Sequence, residues 1–210
     1  MVKQELYKGP LYDQIGYRCK RILVVGHQKH ATGPEKQEYE SNPSYEYTYN
    51  QDNVELINSL IDGRWKEWEN STDRRSYLQF GRMLSGDRYL ELDSEKSIVL
   101  WQSIAFCNYL QIPDFNLNAR QGKDKEDLYL YSERIFQEYL EECKPDSIIV
   151  WGRYAYPYVA KFGENDDGKH CDIILGTGKI SKVFRINHPC RVGRGGYQHE
   201  IDEISEFLEE

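Results

Sequence analysis

Three short segments place side chains able to do chemistry directly after apolar runs. The first is Gly26-His27-Gln28-Lys29-His30. Gly26 lets the backbone turn sharply and approach a ligand, and polar groups follow at once. The second is Phe106-Cys107-Asn108-Tyr109, whose Asn108 carries a donor and an acceptor on one amide and can read the edge of a base. The third is Asn187-His188-Pro189-Cys190, followed by Arg191-Val192-Gly193-Arg194-Gly195-Gly196-Tyr197. There His188, fixed by Pro189, can present a ring nitrogen. Arg191, Arg194 and the backbone of Gly195 and Gly196 can hold phosphates. Each segment also has a plainer reading: a polar loop with surface histidines, an Asn satisfying local backbone, and a His-Pro turn before a glycine loop.

Other chemistries are poorly served. Gly176-Thr177-Gly178-Lys179-Ile180 lacks the first glycine of a phosphate loop and has Ile where Ser or Thr is needed. No GxGxxG follows the strand ending at Gly26, and no GxSxG occurs. A metal-dependent hydrolase would need His27, His30 and His188 together. HxxH alone is weak, no carboxylate stands near it in the chain, and the expectation is no metal and no cofactor. Tyrosines 45, 47 and 49 alternate as in a half-buried strand, with a stacking face as the other reading.

The elements that must position these residues follow from periodicity. Runs 21–26 (RILVVG) and 147–152 (SIIVWG) are apolar and end at Gly, as buried parallel strands do. Run 182–187 (KVFRIN) alternates more, and 103–110 (SIAFCNYL) reads as a helix end entering a strand. Helices are expected over 52–61, over 125–143 with Leu128, Tyr131, Ile135, Tyr139 and Leu140 near one face, and over 198–208 with Ile201, Ile204, Phe207 and Leu208 inward. Strands alternating with helices give an α/β sandwich with a mostly parallel sheet, and ligands bind beyond the carboxyl ends of such strands. All three chemical segments sit at such ends.

The chain has 210 residues, 39% hydrophobic and 30% charged, and is expected to form a single domain over 1–210. No apolar run approaches the ~18 residues that span a bilayer. The first ten residues have no apolar signal region, and five scattered cysteines without CxxC read as reduced thiols, so a cytoplasmic protein is expected. Net charge is −8, which opposes indiscriminate nucleic-acid binding. Two windows nonetheless contain no acid: 14–34 with Arg18, Lys20, Arg21 and Lys29, and 176–197 with Lys179, Lys182, Arg185, Arg191 and Arg194. If they meet in space they form one positive site suited to a phosphodiester.

Together LVVGHQKH (23–30), FCNYL (106–110) and NHPC (187–190) resemble, in order and spacing, the motifs of the uracil-DNA glycosylase superfamily. KPDSIIVWG (144–152) is similar to that family's penultimate strand. The likeness covers about Arg21 to Tyr197, and it is nearest to a bacterial branch with a Gly-Glu-Ser-His-like first motif. It implies a three-layer α/β/α sandwich and a DNA-repair hydrolase that cleaves the N-glycosidic bond of a flipped base in single-stranded or duplex DNA. In that case Asn108 reads the base beside Gly26, His188 stabilises charge on its oxygen, and His27 or Gln28 orients the water. Arg191, Arg194, Gly195 and Gly196 contact phosphate or fill the gap left by the extruded nucleotide. The family's first motif usually carries Asp, Asn or Glu, where this chain has His27, Gln28 and Lys29. Glutamine can position a water but cannot take its proton, whereas histidine can. The competing expectation is a protein that kept the fold and site to bind a nucleobase, nucleic acid or protein without catalysis.

Overall fold

The run Ile22–Gly26 forms a strand in which every residue is buried, as its branched apolar side chains require. Ile104–Asn108 and Ser147–Trp151 are buried throughout in the same way. The computed structural model describes residues 5–27, 41, 52–64, 71–111, 126–192 and 197–209. Along the chain these form β1 (Tyr7–Lys8), β2 (Ile22–Gly26), α1 (Asp52–Ile61), α2 (Ser71–Ser85), α3 (Glu95–Gln102), β3 (Ile104–Asn108) and α4 (Glu126–Cys143). There follow β4 (Ser147–Trp151), α5 (Tyr156–Ala160), β5 (Gly163–Glu164), β6 (His170–Ile174), β7 (Ile180–Ile186), a 3₁₀ turn (Pro189–Arg191) and α6 (Tyr197–Glu209).

The seven described strands make one mixed sheet in the order β1-β3-β2-β4-β7-β6-β5. The central four, β3, β2, β4 and β7, run parallel. The outer strands are antiparallel to their neighbours, so the parallel arrangement stops at the centre. The expected helices appear at 52–61, 126–143 and 197–209. α4 ends where Lys144 takes φ +44° ahead of Pro145, its N–H bonding Leu140 O at 2.8 Å. The 176–180 segment is the hairpin turn between β6 and β7, with Gly178 at φ +78°.

Alternate residues of the central strands divide between two apolar clusters. Ile22, Val24, Ile104, Phe106, Ile149, Trp151, Phe184 and Ile186 pack with residues of α1, α2, α3 and α6. Leu23, Val25, Ala105, Cys107, Ile148, Val150 and Val183 pack with α4 and α5. This is the period-two alternation of a sheet covered on both sides. No described helix is long and apolar enough to cross a membrane, and the five cysteines are free thiols.

Among the described residues, the two basic windows do not gather at the carboxyl edge of the sheet. Arg21, at the amino end of β2, and Lys179, in the hairpin before β7, both reach Asp146 at the amino end of β4. Lys182 is in register with Ser147 at that same edge. Arg191 lies beyond the carboxyl end of β7, and Lys29 and Arg194 fall outside the described residues. A strand five residues long carries the chain about 17 Å across the sheet, so basic residues before and after one strand end at opposite edges.

Asp146 clasps that amino edge. It accepts the Arg21 backbone N–H at 2.7 Å as well as the two cations. Burial alone would raise its pKa, but Lys179 and the Arg21 N–H outweigh it and hold the carboxyl below its usual value. A lowered folded pKa contributes stability above the unfolded pKa of ~3.9, lost as pH falls through the folded value. The expected result is that Asp146→Asn is less stable than the parent at neutral pH. The gap should shrink as melting is followed downward from about pH 4.

Candidate functional site at the carboxyl edge of the sheet

Parallel pairing sets Gly26 opposite Asn108 at the ends of β2 and β3. Pairing continues past both strands, since Tyr109 N–H donates to Gly26 O and Leu110 N–H to His27 O, each at 2.9 Å. Asn108 is 8% exposed, and its side chain lies over Gly26. A β-carbon on Gly26 would stand 2.4 Å from Asn108 Oδ1, so only glycine admits this placement. Behind Asn108 the turn is tied by Gln111, whose Nε2 donates to the Asn108 and Tyr109 carbonyls and whose Oε1 accepts from Tyr139.

β4 and β7 bring the third segment to the same edge. Gly152 follows Trp151 at φ +83°, its N–H bonded to Ile186 O at 2.9 Å. A β-carbon there would stand 3.3 Å from His188 Cβ. Trp151 spans the gap, its ring centroid 5.1 Å from Phe106 of β3 and 5.9 Å, edge-on, from His188. The turn before His188 is held by Glu200, a buried carboxylate in the first turn of α6 that accepts from the Asn187 side-chain amide and backbone N–H.

The His188 ring is oriented by its own turn. Cys190 N–H donates to His188 Nδ1 at 3.3 Å. An accepting Nδ1 carries no proton, so the neutral ring has its hydrogen on Nε2 and can donate from there. Arg191 is exposed in the same 3₁₀ turn.

His27 lies beside a second group of rings. Its centroid is 6.2 Å from Tyr154 and 6.5 Å from Tyr158. Tyr158 in turn stacks on Tyr129 at 4.5 Å and on Tyr109 at 5.4 Å. Thus His188 stands against Trp151 of the first cluster and His27 against Tyr158, which packs on the second. Burial raises the pKa of Tyr109, so its hydroxyl is a neutral donor. That hydroxyl and Trp151 Nε1 are buried without a hydrogen-bond partner among the described residues.

The structure therefore brings Gly26, His27, Asn108, His188 and Arg191 to one edge. Gln28, Lys29, His30, Arg194, Gly195, Gly196 and tyrosines 45, 47 and 49 lie outside the described residues. No group of three metal-ligating side chains occurs among the described residues. Sequence reasoning missed Trp151, Arg153, Tyr154, Tyr158 and Glu200. The first four surround Gly152, the end of a strand already recognised, and the aromatic spacing there was the available signal. Glu200 gave none, because a single acid in a helix reads as solvated. No known protein family matches the chain, and no curated protein matches it.

Proposed function

We propose that the chain is a three-layer α/β/α domain of the uracil-DNA glycosylase type that excises a base flipped out of DNA. The partition of strand side chains between two helix-backed clusters supports that architecture. The observation that carries the function is the placement, at the same sheet edge, of a buried Asn108 carboxamide laid over Gly26 and a His188 whose Nδ1 already accepts a hydrogen bond.

In this reading the amide of Asn108 pairs with the edge of the flipped base. As the C1′–N bond breaks, its electron pair moves onto the base, and negative charge grows on the base oxygen. His188 Nε2–H donates to that oxygen, a stabilisation made mainly in the transition state. Water adds to C1′ and loses a proton to His27, with Gln28 orienting it; that proton passes through solvent to the departed base anion, leaving a neutral free base and an abasic sugar. Arg191, Arg194 and the backbone of Gly195 and Gly196 hold the flanking phosphates. The substrate is DNA, which fits a cytoplasmic repair hydrolase needing no cofactor.

One observation favours binding without cleavage. Residues 26–34 contain no carboxylate to take a proton from water or to balance a cationic sugar. Incubation with uracil-containing single- and double-stranded oligonucleotides, with and without chelator, separates the readings. Chelator-insensitive release of uracil is the expected result. Binding without release supports the non-catalytic reading, and activity lost on chelation supports a metal site using His27, His30 and His188.

A further inference from the structure

We infer that Arg185 binds a phosphate group on the α5 face of the sheet, apart from the His188 turn. The inference goes beyond the nucleobase reading and does not depend on it.

β7 lies between β4 and β6, inside the sheet. Its residues Val183, Phe184 and Ile186 are buried, and a cation, Arg185, stands among them in register with Val150. Its backbone N–H donates to Lys169 O at 2.8 Å. Alternation puts its side chain on the face that carries Val183, toward the second apolar cluster. There the guanidinium carbon lies 5.8 Å from the ring centroid of Tyr156, the buried first residue of α5. Arg185 is half-buried, and its Nε is enclosed without a hydrogen-bond partner among the described residues. The two terminal nitrogens are not enclosed in this way. Arginine cannot shed its proton to escape such a position.

The carboxylates of the adjoining segment are committed elsewhere. Asp166 Oδ1 accepts from the Tyr156 hydroxyl at 2.7 Å and from the Gly168 N–H at 2.8 Å. Asp167 holds His170, and Asp172 accepts from Asn165. Among the described residues none forms an ion pair with Arg185. Other half-covered cations of the molecule are treated differently: Arg21 and Lys179 pair with Asp146, Lys161 with Glu133 and Lys169 with Glu203. Holding a cation in the fold without a counter-charge costs stability. A bound oxyanion offsets that cost, and the terminal nitrogens of a guanidinium match two oxygens of a phosphate. Free phosphate and the phosphodiester of a nucleic-acid strand share that chemistry.

The test follows thermal melting in sodium phosphate against sodium chloride of matched ionic strength, with the Kd for phosphate taken from phosphorus NMR line broadening. At about ten times the Kd, the parent should melt about 3–6 °C higher in phosphate than in chloride. Arg185→Met keeps the aliphatic stem and loses the charge. It should melt at or above the parent in chloride and show no rise specific to phosphate. Arg185→Lys keeps the charge without the planar fork and should retain a smaller rise. A rise of parental size in Arg185→Met, or none in the parent, overturns the inference. So does an Arg185→Met protein that is unfolded or melts well below the parent in chloride, because the guanidinium then serves the fold itself. A rise kept in Arg185→Met and lost in Arg191→Gln places the anion at the His188 turn and also overturns it. A short single-stranded oligonucleotide in place of phosphate identifies the source. Stabilisation by it that depends on Arg185 supports a phosphodiester, and dependence seen with phosphate alone supports a free phosphate group.

Discussion

His188→Ala is expected to slow single-turnover release of uracil by roughly 10²–10³, the cost of removing one donor to a developing oxyanion. Binding of the intact oligonucleotide should change much less, because the lost hydrogen bond strengthens only as the C1′–N bond breaks. The direction follows from the turn: Cys190 N–H occupies Nδ1, so Nε2–H is the ring donor that alanine removes. Alanine also strips a ring that packs edge-on against Trp151, and some fall in melting temperature will accompany it. His188→Gln separates the two effects, since its amide restores a donor and much of the volume. It should recover stability in full and rate in part. A stable alanine variant with parental cleavage removes His188 from the chemistry.

The second large effect is expected at Gly26. Gly26→Ala places a methyl 2.4 Å from Asn108 Oδ1 and 3.3 Å from Phe106 Cζ, within a pair of strands whose backbones are in register. Neither backbone can retreat without breaking the Tyr109–Gly26 and Leu110–His27 bonds, so the Asn108 amide must leave its position. Overpacking of this kind costs about 1–3 kcal/mol, which for a chain of this size is a fall of roughly 2–12 °C in Tm. Recognition of the base should be lost with the displaced amide. In an Asn108→Ala background the added methyl meets no amide, and its cost should drop well below the value in the parent. Equal costs in both backgrounds would show that Asn108 does not occupy the space over Gly26.

The fold was legible wherever a burial demand wrote itself into a run of residues. β2 is apolar at every position and β4 at every position after Ser147, each run closes on a glycine, and α1, α4 and α6 keep an inward stripe. α2 escaped notice because STDRRSYLQFGRMLS is polar and carries Gly81 in its interior. A β-carbon on that glycine would stand 3.2 Å from Leu90 Cδ2. β6 is short and mixes His and Asp with its apolar residues, which local propensity reads as loop. The site was legible as strand ends and not as charge. Counting lysines and arginines along the chain cannot say which end of a strand they stand at, so Arg21, Lys179 and Arg191 looked like one group. In space Asp146 collects two of them at the far edge. The group of rings beside His27 was harder to read, since Tyr109, His27, Tyr129 and Tyr158 come from four separate parts of the chain and meet only in the fold.

The borders of the sheet bear on how the protein behaves at high concentration. Among the described residues, β1 and β5, the outermost strands, are each only two residues long. A strand from another molecule arriving at either border meets too short a run of backbone donors and acceptors to extend the sheet. The buried, largely apolar strands most prone to self-association are the central ones, with neighbours on both sides. The chain should therefore resist edge-to-edge aggregation while native. Its vulnerable moment is refolding, before the β6–β7 hairpin and β1 have closed over the parallel core.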